Sequence, residues 1–206
     1  MRELLERFIV FEGLDGAGTT TQADLLCRTM RRNDTPVRPT AEPTDGPVGR
    51  LIRAALHHKL TLTPDTLAYL YAADRNEHLY APEHGICAGI RDSWVVCDRY
   101  LFSSLAYQTV DCPPQLVDAL NASFPLPQWL FYIDVDPETC ARRRAARGRE
   151  ELYDSIVFQR RVYANYDRIL RDFAGSAGMR MIRIDGAQLP ETVSARVCSE
   201  LGFTPI

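Results

Sequence analysis

Short apolar runs alternate along the chain with longer stretches of helical period. Residues 8–11 (FIVF) form the first run, closed by Gly13, and from Thr20 to Met30 the apolar positions Ala23, Leu25, Leu26 and Met30 recur with a helix period. The pattern predicts strand, glycine turn, helix. Further strands are predicted at residues 94–97, 129–133 and 179–184, with a weaker one near Val37, and helical stretches separate them. Strands that alternate with helices in this way imply a parallel sheet covered by helices. Helix starts are marked at Asp136, an N-cap followed by Pro137, and at Leu189–Pro190. Pro113, Pro114, Pro125 and Pro127 bracket a helix expected at residues 115–124. No repeat, low-complexity tract or linker interrupts the series, so one α/β domain is expected over 1–206.

The size, 206 residues, suits one medium domain, and 46% hydrophobic with 25% charged residues excludes a disordered or fibrous chain. A net charge of −3 argues against nucleic acid or an anionic membrane as the main partner, so any anion site must be local. Lys59 is the sole lysine among 24 basic residues; the rest are arginine. The six cysteines show neither a CxxC pair nor zinc spacing and read as thiols of a reducing compartment. Arg2, Glu3, Glu6 and Arg7 precede a short apolar run, unlike a signal or transit peptide, and no run approaches membrane-spanning length. A cytoplasmic protein is expected.

Residues 13–20 read GLDGAGTT and fit the phosphate-loop pattern GxxxxGK[S/T] at every fixed position except the lysine, where Thr19 stands. Gly13, Leu14, Asp15, Gly16, Ala17, Gly18, Thr19 and Thr20 can still curl so that successive N–H groups face a polyphosphate, aided by the positive end of the following helix. Thr20 keeps the hydroxyl that suits Mg²⁺. The missing ammonium calls for another cation, and in this chain arginine is the candidate. Asp15, a carboxylate inside a phosphate loop, is expected to point away toward a sugar hydroxyl.

Several further segments carry the pattern of one family. FEGLDGAGTTTQ, Glu42-Pro43, LYAADR (70–75), CDRY (97–100), the DP helix with its arginine-rich end, and ELYDSIVFQRRV together resemble the thymidylate kinases, P-loop nucleoside-monophosphate kinases, over roughly the whole chain. The resemblance implies a three-layer P-loop fold with a five-stranded parallel sheet, ATP as phosphoryl donor, Mg²⁺, dTMP as acceptor, and a homodimer. By the same resemblance Asp15 meets the 3′-OH of dTMP, Tyr71 stacks on the base and Arg75 donates to a base carbonyl. It also implies that Arg99 forks onto the acceptor phosphate, Asp98 holds Mg²⁺ with Thr20, and Ser104 and Tyr107 reach the nucleotide, with Tyr107 crowding the 2′ position.

Read without the family, the same residues also fit a core tyrosine at Tyr71, a surface pair at Asp74 or Arg75, a strand-end ion pair at Asp98–Arg99 and a structural Tyr107. Arg142, Arg143, Arg144, Arg147 and Arg149 form a cationic stretch ending near Gly148, expected as a lid over about 142–154. Part of it can equally be a solvated face paired with Glu138, Glu150 and Glu151. Arg147 and Arg149 are the candidates for stabilising the transferring phosphoryl group. In the Glu42-Pro43 loop, Glu42 is expected at the acceptor site, but Ala41 stands where many family members have arginine, so Arg53 of the following helix is expected to carry more of the phosphate-binding load. His57, His58, His78 and His84 are expected at the surface or as caps. Two other functions remain open on the sequence: a kinase for another nucleotide or nucleoside, and a nucleotide-binding protein without turnover.

Overall fold

The computed structural model describes residues 2–146 and 152–205. Strand β1 (Leu4–Gly13) leads through the glycine loop into helix α1 (Thr19–Arg32), then β2 (Val37–Ala41), α2 (Pro47–Leu56), α3 (Pro64–Tyr80) and the short α4 (Ile86–Gly89). β3 (Trp94–Asp98), α5 (Leu101–Tyr107), α6 (Pro114–Asn121), β4 (Leu126–Asp134) and α7 (Pro137–Ala145) follow, and α8 (Ile156–Asp172), β5 (Arg180–Asp185) and α9 (Pro190–Leu201) complete the order.

The five strands form one parallel sheet in the order β2-β3-β1-β4-β5. Six consecutive residues of β1, Phe8 to Gly13, are buried. Successive strand side chains point to opposite faces, so such a run requires cover on both sides of the sheet. α1 packs with α9, and α5 with α8. The expected five-stranded parallel α/β architecture is therefore present.

Several boundaries differ from the sequence reading, the largest shift being at β1, which begins at Leu4 rather than Phe8. β4 begins at Leu126 rather than 129 and runs through Pro127, which pairs with Leu5 where the β1–β4 register is irregular. A proline cannot donate to the ladder, and the irregularity, with Arg7 at φ 59°, is where a missing donor is tolerated. α6 ends at Asn121, three residues short of the expected helix end. At α7 the anticipated cap is present: the Asp136 carboxylate accepts from Thr139 N at 2.8 Å.

The carboxyl ends of β1, β3 and β4 adjoin, because the register pairs Phe11 with Asp98 and Gly13 with Ile133. That edge of an open parallel sheet is where ligands bind. It carries the glycine loop, Asp98–Arg99 and the start of α7.

Candidate active site

The glycine loop is shaped by close approach as well as by turning. Gly16 and Gly18 adopt φ of 97° and 100°, and Ala17 N donates to Leu14 O at 2.9 Å to close the turn. A Cβ on Gly16 would lie 2.7 Å from the Cys140 carbonyl oxygen, so α7 rests directly on the loop. Thr19 is buried as the first residue of α1, with its methyl 3.2 Å from where a Gly13 Cβ would sit. The side chain at the lysine position of the pattern thus packs inward.

Guanidinium groups reach this loop from α7. Arg143 donates to the carbonyls of Gly16 and Ala17 at 3.4 and 3.3 Å and to Gly186 O at 3.0 Å. Arg144 donates to Asp15 O at 2.5 Å and pairs with Asp154 at 2.8 Å. The solvated-face alternative is corrected for two of the three described arginines of this stretch: Arg143 and Arg144 engage the carbonyls of the glycine loop. Arg142 bonds Thr139 in its own helix, and Glu138 pairs with Arg160 of α8. Arg147 and Arg149, with Gly148, Glu150 and Glu151, lie outside the described residues.

Two cavities flank the loop. One of about 430 Å³ is lined by Gly16, Gly18, Gln22, Arg143, Gln188 and Pro190 among others. The other, about 340 Å³, is lined by Asp15, Thr20, Glu42, Arg53, Tyr71, Arg75, Asp98, Arg99, Ser104 and Tyr107, together with residues that the sequence reading did not single out. These include Ser103, Gln108 and Tyr153, and His57, expected at the surface or as a cap, lines it too.

In the second cavity Arg99 adopts φ 71° and forks, donating to Asp15 Oδ1 at 2.5 Å, Gly13 O at 3.0 Å and Ser103 Oγ at 3.1 Å. Burial is the largest single influence and disfavours its charge, but Asp15, Tyr107, Tyr166 and Asp98 together outweigh it and raise the guanidinium above its ordinary range. The strand-end partner of Arg99 is thus Asp15, not Asp98. Asp15 also accepts from Gln159 Nε2 at 3.3 Å, and its backbone N–H donates to the Tyr107 hydroxyl at 2.9 Å. Burial, then the Asp15 charge, push the Tyr107 phenol well up, so it stays neutral and able to donate. Thr20 Oγ1 donates to Asp98 Oδ2, while Asp98 Oδ1 is buried without a hydrogen-bond partner.

Beneath the far end lies a buried ionic network. Arg75, 1% exposed, donates to Glu42 Oε2 at 2.9 Å, Asn121 Oδ1 at 2.5 Å and Ser104 Oγ at 2.9 Å. His78 Nδ1 faces Glu42 Oε1 at 3.1 Å and Nε2 faces Thr40 Oγ1 at 2.6 Å. Asp74 accepts from Thr44 N at 2.7 Å and Thr44 Oγ1 at 2.6 Å. The surface-pair alternative for Asp74 or Arg75 is overturned by their burial. The surface or capping assignment of His78 is overturned too, because α3 turns it inward toward Glu42 at the end of β2. Ser104 is 2% exposed and is taken up as the acceptor for Arg75 and Gln108. Arg53 donates to Pro43 O at 2.5 Å and Asp45 Oδ1 at 3.0 Å at the cavity mouth. Tyr71 lines the wall, near Tyr153 and Tyr107.

Glu12 was missed by sequence reasoning. The signal was a lone carboxylate closing the FIVF run, and burial pushes it up to about 6 although Ser103, Arg99, Tyr166 and Tyr100 all favour its charged form.

The thymidylate kinase family model matches residues 11–197. The chain belongs to the thymidylate kinase family. It is 38% identical to "Putative thymidylate kinase" of Treponema pallidum (strain Nichols) over 205 residues, 96% of each chain. "Putative thymidylate kinase" of Aeropyrum pernix is 39% identical over 185 residues, 88% of this chain and 86% of the other. "Probable thymidylate kinase" of Methanococcus aeolicus is 33% identical over 190 residues, 91% and 92% of the two chains. Family membership makes the protein a nucleoside-monophosphate kinase, a phosphotransferase. Among the described residues no helix is long and apolar enough to cross a membrane.

Proposed function

We propose that the protein transfers the γ-phosphoryl group of ATP to the 5′-phosphate of dTMP, giving dTDP. The observation that carries this reading is the division of the glycine loop between two cavities. Gly16, Ala17 and Gly18 face one, while Asp15 and Thr20 face the other beside Asp98 and Arg99. A donor in the first and an acceptor in the second would meet at one loop, as in-line transfer requires.

The loop amides would hold the donor phosphates, and Arg99 would exchange part of its contact with Asp15 for the acceptor phosphate. Asp15 would then be free for the sugar 3′-OH, Tyr71 would stack on the base, and Arg75, held by Glu42, would face a base carbonyl. Ser104 and Tyr107 would complete the sugar and base wall, with Arg53 at the mouth. No side chain acts as a nucleophile. Thr20 and Asp98 are hard oxygen donors in mutual contact, and the partnerless Asp98 Oδ1 suits them to Mg²⁺. Bound there, Mg²⁺ would neutralise phosphate charge. The segment 142–154 would act as the lid, with Arg147 and Arg149 over the developing charge and water excluded on closure. A single domain, a cytoplasmic setting and a homodimer complete the reading.

Thr19 favours a second reading, nucleotide binding without turnover. The test is a coupled assay with ATP and Mg²⁺ against dTMP, dUMP, dGMP, dCMP, UMP and thymidine. Turnover of dTMP alone is expected. Turnover of thymidine alone would make the protein a nucleoside kinase, and ATP binding by calorimetry without any turnover would favour the second reading.

A further inference from the structure

Glu12 carries a charge that the mechanism above does not use. It is fully buried in β1 and lies behind the second cavity rather than in its lining. Its Oε1 accepts from Tyr100 N at 2.9 Å and Ser103 N at 3.0 Å. Its Oε2 accepts from Ser103 Oγ at 2.6 Å and Tyr166 Oη at 2.8 Å. All four donors are neutral, and three belong to the turn that follows Arg99. That turn holds Arg99 at φ 71°, a conformation a non-glycine residue keeps only when its surroundings impose it. Arg99 N is bonded to Phe11 O at 2.9 Å, the residue before Glu12, so one strand segment grips both sides of the turn. Ser103 Oγ connects the two charges: it donates to Glu12 and accepts from Arg99 Nη1 at 3.1 Å.

We propose that Glu12 is the positioning residue of the acceptor-phosphate site, fixing through Tyr100 N and Ser103 the direction in which the Arg99 guanidinium enters the cavity. This rests on the reading of Arg99 as the phosphate-holding group. A carboxylate suits the task because it offers only acceptors, whereas a glutamine amide would turn two N–H groups on Ser103 and Tyr166 and force their hydroxyls to reverse. Loss of the charge also removes a field that faces Arg99.

The experiment compares wild type, Glu12→Gln, Ser103→Ala, Arg99→Ala and Glu12→Gln/Arg99→Ala. Steady-state kinetics are measured with ATP and dTMP, and calorimetric titrations with dTMP and with thymidine, which lacks the phosphate. Glu12→Gln is expected to raise KM for dTMP about tenfold, the scale of one hydrogen bond to a charged group. KM for ATP and thymidine affinity should stay within twofold, and the double variant should bind dTMP no worse than Arg99→Ala alone. Should Glu12→Gln not fold, Ser103→Ala is read instead and must shift KM for dTMP in the same direction. Unchanged KM for dTMP in every foldable variant, or additive losses in the double variant, overturns the proposal while leaving dTMP phosphorylation standing. A wild type inert toward dTMP removes both.

Discussion

The two sides of the glycine loop are built from different materials. On the side of the proposed acceptor cavity the polar groups are side chains locked in buried contacts: Arg75 with Glu42, His78 with Glu42, and Glu12 with Tyr100 N, Ser103 and Tyr166. On the side of the proposed donor cavity the loop's own backbone does the shaping, and the Arg143 guanidinium touches it through the Gly16 and Ala17 carbonyl oxygens. Side-chain networks discriminate sharply and tolerate little, because removing one member leaves a buried partner unpaired. A backbone cradle is indifferent to most side chains so long as its φ angles and close approaches are kept. The loop's turn accordingly rests on Gly16 and Gly18 at positive φ, while Thr19 packs inward beside Gly13.

The largest effect expected is on the acceptor side. Glu42→Ala strands Arg75 and His78 in the interior and should cost about 3–5 kcal/mol in denaturant unfolding. A loss below about 1 kcal/mol would show that water or another group takes up the charge. Arg99→Ala should lower kcat/KM for dTMP about 10²–10³-fold, as for removal of one preorganised charge-stabilising donor; a loss under tenfold would break the assignment of the acceptor phosphate to this fork.

Glu12 gives a pH signature next in size. Its carboxyl is raised from 4.5 to about 6 by burial, so the folded state holds the proton more tightly than the unfolded chain. The resulting stabilisation is full below about pH 4.5 and is lost as pH rises through about 6. The shift is worth about 2 kcal/mol. Glu12→Gln should flatten that part of the stability profile in unfolding titrations at stepped pH.

On the donor side, Gly16→Ala meets the Cys140 carbonyl and an unfavourable φ. It should raise KM for ATP about tenfold or more, a ratio that corresponds to about 1.4 kcal/mol, while dTMP affinity measured by calorimetry changes little. The smallest effect sharpens the contrast most: Thr19→Ala should change KM for ATP less than about threefold, since the amides remain. A large loss in that variant would return the work to the side chain.

Much of the fold was legible because its signals are local. The glycine spacing at 13–18, the Asp136–Pro137 cap and the short apolar runs each act within a few residues, and the helices and strands appear where those signals lie. The cavity wall was legible in part, since Tyr71 and Arg75 share a helix face and Asp98–Arg99 end a strand. What stayed hidden were the second ends of the contacts. Nothing near His78 in the chain says that it turns inward, and Arg143 and Arg144 read as surface charge because a helix at this composition is usually solvated.

The chain by itself determined the order of elements, the turn at the glycine loop and the kinds of charged group available, since dihedral preference and hydrophobic period are properties of neighbours in sequence. Tertiary structure alone decided which charges are buried together. Glu12 and Tyr166 are 154 positions apart and Asp15 and Arg99 are 84 apart, and such pairs meet only after the parallel sheet has set β3 and β4 on either side of β1 and closed the helices over them. Burial then makes each pairing strong, because in a low-dielectric interior a charge without its partner is far costlier than the same charge in water.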